Sequence, residues 1–327
     1  MKIYDCFTYY DEDLKIKWKI KNSMISKEDK SLLSFKKKFI KMYDNITVVI
    51  VTFNPSLNIL NRCLRSIDNQ IKILIIDNSS NLKLSQIENY QNKKIKIIKN
   101  LNNGNGEAIN VGMYLAKTQY ILYLDVDTKL STNFIPKLIN YIDKIKDFAV
   151  IGPTLNNHIY KIKDYKHNKI SNNMYSEMNF LEGAVMLINK SSTYLKNIKF
   201  DKNIFLYWEE VDFFHQCLIN KKKIFLIKDL LADHDGGKSI DKIKYPDIEL
   251  NRNWHHMWSK FYYYKKNFGT ITAYKKTLKH FFTAAIKLQF YFLLRNKKYL
   301  IYLERLSGLF NSYCNKTSWR RPKLNIK

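Results

Sequence analysis

Arginine is scarce in a chain that is otherwise strongly basic. Of 56 Lys and Arg residues seven are Arg, and 29 Asp and Glu leave a formal charge of +27. Arg supplies the planar fork that reads phosphates and base edges, so its shortage argues against nucleic acid as the partner. Cysteine is sparse too. Cys6, Cys63, Cys217 and Cys314 lack metal-type spacing, which argues against a zinc cluster or a disulfide framework and fits a reducing compartment. No apolar h-region follows Met1, so no signal peptide is visible and a cytoplasmic protein is expected. The apolar stretch 281–294 is interrupted by Lys287 and Gln289 and is too short to span a bilayer. No internal repeat is evident.

What is present describes a globular protein with a large core: 327 residues, 46% hydrophobic and 14% aromatic. Residues 1–41 are Lys-rich, only loosely periodic and free of Gly and Pro, and are read as an accessory extension. From Ile46 strands and helices alternate. A β-branched run ends at Asn54-Pro55, a helical spacing follows through Leu57, Leu60, Leu64 and Ile67, and a second run ends at Asp77-Asn78. A third strand near Ile95 leads into Asn102-Asn-Gly-Asn-Gly106 and a helix from Glu107. A fourth, Tyr120 to Leu124, stops at Asp125 and Asp127. Such alternation predicts parallel strands joined by right-handed crossovers, with ligands at their carboxyl ends. Each polar cluster falls at such an end. Ionised carboxylates are costly in a core, so Asp125 and Asp127 at the end of a buried run mark a site open to a cation.

Further on, residues 156–178 are polar and read as an insertion or a mobile loop, and a strand is expected over 179–188. A helix with an acidic first turn begins near Glu209, Glu210 and Asp212. A short strand over 224–227 precedes a loop containing His234. Beyond Pro246 long helical patterns rich in Trp, Tyr, Phe and Lys run to about Cys314.

Taken in order, Val48 to Asn54, Ile75 to Ser79, Asn102 to Gly106 with Asn110, and Leu124 to Asp127 resemble the nucleotide-sugar half of family 2 glycosyltransferases. Gly183 to Leu187, Tyr207 to Asp212 and His234 to Ser239 resemble that family's acceptor half. The resemblance covers roughly residues 45–268. It implies a GT-A fold: an α/β protein with a Rossmann-like mixed, mostly parallel sheet flanked by helices, here with a C-terminal helical region. The expected division is an extension at 1–41, a catalytic domain at 42–245 (donor half 42–128, acceptor half 129–245) and a helical region at 246–327.

The same resemblance implies roles. Thr52 and Asn54 line the nucleobase, Asp77 accepts from a pyrimidine imide and Asn78 supports that loop. Gly104 and Gly106 allow close backbone approach and Asn110 faces the nucleotide. Asp127 is the first metal ligand, Asp125 holds ribose or metal, and His234 completes the site, with Asp233 and Asp235 as possible ligands beside it. Such donors suit Mg²⁺ or Mn²⁺, and the histidine favours Mn²⁺. The general base falls on Glu210 or Glu209, standing where relatives usually carry Glu-Asp. Asp212 caps or braces the helix, Lys238 or Ser239 contacts phosphate, and Glu182 and Trp208 are candidates for the acceptor wall.

The aromatic run from Arg252 to Lys266 resembles the bacterial rhamnosyltransferase-like branch, which builds O-antigens, capsules and cell-wall linkers. The Gln-x-x-Arg-Trp signature of processive synthases is absent from the sequence, so one sugar per acceptor is expected. The implied donor is dTDP-rhamnose or a UDP-sugar and the acceptor is glycan or lipid-linked. Basic helices with interleaved aromatics read as lying on an anionic membrane at the cytoplasmic face, or as packing on the catalytic core. Two other readings stand beside this one: a basic nucleic-acid-binding protein, for which salt-dependent oligonucleotide binding is the test, and a pseudo-enzyme that only binds sugar nucleotides.

Overall fold

The computed structural model describes residues 42–80, 82–145, 147–156, 167–171 (backbone only), 174–237, 239–240 and 247–322. The extension at 1–41 and Lys238 lie outside the described residues. The first half is four parallel strands: β1 (Ile46–Thr52), β2 (Lys72–Asn78), β3 (Lys94–Asn100) and β4 (Tyr120–Leu124). Helix α1 (Leu57–Arg65) connects β1 to β2, and α2 (Asn105–Leu115) connects β3 to β4. β1 pairs in parallel with β2 and β4, and β2 with β3, so their carboxyl ends share one edge. β1 is buried on both faces because both bear helices. Val48 and Ile50 join one apolar cluster with Leu60 and Leu64 of α1, while Val49 joins another with Ala108 and Met113 of α2.

The second half is mixed. After β5 (Thr128–Leu130) and α3 (Phe134–Lys144) come β6 (Val150–Asn156), β7 (His167–Ser171), β8 (Tyr175–Met178), β9 (Val185–Asn189), α4 (Lys190–Tyr194), α5 (Glu209–Ile219) and β10 (Ile224–His234). The sheet order is β3-β2-β1-β4-β9-β6-β10-β8-β7, with β5 paired to β10. β6 and β10 are parallel, whereas β9 runs antiparallel to both β4 and β6. Three expectations change here. The polar stretch 156–178 contains the hairpin β7–β8. The strand expected over 179–188 starts only at Val185, so Glu182 and Gly183 stand in the approach to β9 rather than within it. β10 extends seven residues past Ile227, through an irregularity before Leu231, and carries His234 on its last position.

Three helices follow: α6 (Asp247–Phe268), α7 (Thr270–Leu293) and α8 (Tyr299–Tyr313). Gly269, at φ +84°, lets α6 turn directly into α7. They pack on one another through Met257, Phe261, Ala273 and Leu309. α6 also ties down the segment around α5. Ser259 donates to the Leu206 carbonyl (3.0 Å), and Lys266 and Asn267 both donate to Asp212 (2.8 and 2.9 Å).

Candidate active site

The carboxyl ends of β1 and β2 build one wall. Thr52 Oγ1 donates to Asp77 Oδ1 (3.0 Å), the Leu82 N–H donates to Asp77 Oδ2 (3.0 Å), and Ser80 donates to the same carboxylate. Asp77 is almost wholly buried, so these bonds hold it rigid. Asn78 donates to the Gly104 carbonyl and accepts from Asn100, tying β2 to the glycine loop. Asn54 adopts a left-handed backbone (φ 45°), and its buried Nδ2 has no hydrogen-bond partner among the described residues, a donor that a ligand's acceptor would satisfy.

The glycine loop packs closely on the chain itself. Gly104 (φ +116°) has no room for a side chain, because a Cβ would lie 2.5 Å from the Phe205 carbonyl oxygen. Asn105 N–H donates to that same oxygen at 2.9 Å. Gly106 packs likewise on Phe200 and Glu209. The side of each glycine where a Cβ would stand is filled by the protein's own 200–209 segment. Asn110, expected to face the nucleotide, uses its carboxamide on the Phe200 backbone in both directions (2.9 and 3.0 Å).

Asp125, Asp127 and His234 converge. β5 pairs antiparallel with β10 so that Thr128 faces His234, which carries the histidine back over the aspartates. His234 Nε2 lies 3.8 Å from Asp125 Oδ2 and 3.5 Å from Asp127 Oδ1, and its Nδ1 lies 2.9 Å from Glu182 Oε1. One donor atom from each of Asp125, Asp127 and His234 falls within 4.8 Å of the others. Burial opposes charge on His234, but hydrogen bonds to Asp127 and Glu182 outweigh it and raise its pKa to about 10. Asp125 is pushed up to about 6 by burial and by Asp127 beside it. A single imidazole shared by three acids is a surplus of negative charge, and hard oxygen donors with one imidazole nitrogen fit a divalent cation. Glu182 meets the imidazole through Nδ1, an arrangement typical behind metal-binding histidines.

Sequence reasoning missed Arg62. Its Nη1 donates to Asp235 Oδ2 (2.6 Å) and its Nη2 to the Asp127 carbonyl (3.2 Å), while Asp235 N–H donates to that carbonyl too (3.1 Å). Asp235 is thus turned towards α1, and Asp233 accepts from Asn156; neither joins the cluster. The only signal for Arg62 was its rarity as an arginine.

The two glutamates at the start of α5 differ. Glu209 is buried and accepts from Asn105 Nδ2 (3.0 Å), and its Oε2 has no hydrogen-bond partner among the described residues. Burial and neighbouring Glu210 raise its pKa well above the ordinary value. Asn105 also meets the Tyr123 hydroxyl, which donates to Asp125 Oδ1 at 2.5 Å, so a hydrogen-bonded chain links Glu209 to the aspartates. Glu210 is half-buried against Gly183, where a Cβ would lie 2.8 Å from Glu210 Cγ. Burial pushes its pKa to about 7. Trp208 (φ 71°) packs among His256, Tyr263 and Tyr264 of α6. Ser239 meets Ser56 through its backbone carbonyl.

A strand-end carboxylate pair on a parallel sheet, with a histidine returned by an antiparallel ribbon and acids at a facing helix start, is the layout of a GT-A glycosyltransferase. The glycosyl transferase family 2 model matches residues 47–227, and the chain belongs to that family and is a glycosyltransferase. Among curated proteins it is 25% identical over 243 residues to the dTDP-rhamnosyl transferase RfbF of Shigella flexneri, covering 69% of this chain and 82% of that protein. Among solved structures it is similar to GalNAc-T7 with UDP, GalNAc and Mn²⁺ (TM-score 0.50, 13% identity), covering 68% of this chain but only 50% of that one. It also aligns with S. aureus TarS 1–349 (TM-score 0.48, 14% identity; 82% and 80% covered).

Proposed function

We infer that the protein transfers one sugar, with inversion, from a nucleoside-diphosphate sugar to a hydroxyl of a lipid-linked or surface-polysaccharide acceptor at the cytoplasmic face of the membrane. dTDP-rhamnose or a UDP-sugar is the donor. The Shigella relative, a dTDP-rhamnosyl transferase, supports the first choice, and UDP in the GalNAc-T7 crystals belongs to a more distant relative. The observation that carries the reading is the Asp125–Asp127–His234 cluster at the sheet's carboxyl edge. Those three residues would hold Mn²⁺ or Mg²⁺, which when bound neutralises charge on a diphosphate leaving group.

The chain's own residues supply the rest. Thr52, Asn54 and Asp77 receive the base, with the Asn54 amide offering a donor. Glu210 takes the proton from the acceptor hydroxyl as that oxygen bonds to the anomeric carbon. The bond from this carbon to the diphosphate oxygen breaks and its electron pair leaves with the diphosphate. A carboxyl whose pKa is about 7 suits such a base near neutral pH. Titration calorimetry with UDP and dTDP, with and without Mn²⁺, tests the donor half. The reading fails if neither nucleotide binds in either condition. Donor-hydrolysis screening, then transfer to synthetic lipid-pyrophosphate acceptors, identifies the sugar and acceptor.

A further inference from the structure

Helix α7 is amphipathic the wrong way round for a helix of a core. Its inward face carries small residues: Ala273, Thr277 and Ala284 are buried, and Thr277 meets Tyr313 of α8 at 3.0 Å. Its outward face carries large apolar ones. Ile271, Leu278, Phe282, Ile286, Phe290 and Leu293 fall on one stripe at helical spacing. Phe282 is 61% exposed, Ile286 68% and Leu293 80%. A soluble surface helix normally turns that stripe inward, and a contiguous exposed apolar stripe marks an interaction surface.

Charge identifies the partner. Residues 250–303 contain eleven Lys and Arg and no Asp or Glu. Lys276, Lys287 and Lys298 lie over tyrosine rings of the protein, while Lys275, Lys279, Arg295 and Lys297 are exposed around the stripe. A second copy of the chain would bring eleven cations against eleven. Residues 1–41, with eleven Lys and six acids, are basic as well and match the face poorly. Nucleic acid would match the charge but leave the phenylalanines in water. Among the described residues no helix is long and apolar enough to cross a membrane.

We propose that the outward face of α7 is a docking surface for an anionic lipid bilayer, with Phe282, Ile286, Phe290 and Leu293 entering the interface and the surrounding cations meeting lipid phosphates. This deepens the proposed function by fixing which face of the enzyme meets the membrane, but the binding itself does not depend on the transferase chemistry.

The test is co-sedimentation of the full chain with vesicles of phosphatidylcholine alone and with about one-third phosphatidylglycerol, at low and high salt, where surface attraction is screened. Expected is binding to the anionic vesicles that weakens with salt. The F282D/I286D/F290D variant should lose it by about tenfold or more. Replacing Arg295, Lys297 and Lys298 by Gln should weaken it about fivefold per charge. Because the added negative charge alone could repel vesicles, Ile286→Trp provides a second readout: its emission, taken as the difference from the wild type with its five Trp, should shift to the blue on adding anionic vesicles and be quenched by brominated lipid. Failure of the wild type to bind would overturn the proposal. So would an I286W emission that lipid neither shifts nor quenches, or a concentration-dependent dimer abolished by the same substitutions, since the face would then be covered by protein. Nucleotide binding by calorimetry should be unchanged in all these variants, so loss of vesicle binding stays distinct from failure of the transferase reading.

Discussion

Glu209 and Glu210 are neighbours in sequence, yet burial divides their work. Glu209 is sealed, and burial with Glu210 beside it holds its carboxyl well above its ordinary pKa, which favours the neutral form. Glutamine at 209 reproduces both its neutrality and its acceptor for Asn105, and Glu209→Gln should leave turnover within about threefold, given that a neutral isostere that keeps its hydrogen bond costs little. Glu210→Gln should keep nucleotide binding while lowering kcat by about 10²–10⁴. If Glu209→Gln instead has the larger effect, the base is misassigned. A base acts only when ionised, and burial raises Glu210 to about 7. Transfer should therefore rise with pH through about 7 and level off above it, and the residual activity of Glu210→Gln should lack that rise. A rate profile from mildly acid to mildly alkaline pH checks this.

At the scale of elements, the strand-end positions of Thr52, Asp77, Asp125 and Asp127 were legible because a run of β-branched and apolar residues that stops at polar ones marks a buried strand opening onto solvent. The partners that orient them were not. Nothing in local sequence says that Glu182 meets His234, because their meeting depends on a 52-residue separation closed by β9 and β10. His234 itself was read as a loop residue, since the irregularity after Ile227 breaks the apolar pattern of β10. The packing of Gly104 and Asn110 on the 200–209 segment is equally invisible in local sequence, because it joins positions about ninety to a hundred residues apart. Arg62 is the clearest case: one guanidinium fork ties α1 to the Asp127 backbone and to Asp235 beyond β10. Arg62→Lys cannot span both acceptors, and Mn²⁺ affinity in this variant should fall about tenfold, as for other residues behind metal ligands. Fluorescence or calorimetric Mn²⁺ titration checks this, and unchanged affinity would assign Arg62 to stability alone. Gly183→Ala acts on the facing element. Its Cβ would press on Glu210 Cγ, so kcat should drop by about 10²-fold through misplacement of the base, with nucleotide affinity retained.

Across the whole molecule, the C-terminal helices and tail clamp the segment that carries the glutamates. Phe205 packs on His255 (4.6 Å between ring centroids), Arg321 lies 3.9 Å over Phe205, and Arg320 pairs with Asp247 and Glu304 at 2.9 and 2.8 Å. At the centre His255 is fully buried, within hydrogen-bond reach of the Arg320 carbonyl through Nε2 (2.8 Å) and of Ser318 Oγ through Nδ1 (3.4 Å). Burial, and the nearby cations Arg321 and Arg320, lower its pKa from 6.5 to about 3, although the bond to the Arg320 carbonyl works the other way. Above pH 6.5 the ring is neutral in both folded and unfolded chains and contributes no pH dependence. Between 6.5 and 3 the unfolded chain takes up a proton that the folded one refuses. Stability is then lost as pH falls, by about 1.4 kcal/mol per unit once well below the unfolded value. Other groups, among them Asp125 and His256, are also shifted by folding, so the informative quantity is a difference between two proteins. His255→Gln keeps an N–H donor for the Arg320 carbonyl but cannot be protonated. It should be less stable than wild type at pH about 7.5, through lost packing, and should close much of that gap by pH about 5. Urea unfolding at half-unit steps between these limits measures both slopes. Parallel curves would mean that His255 takes up its proton in the folded state, and that the clamp opens to water around it.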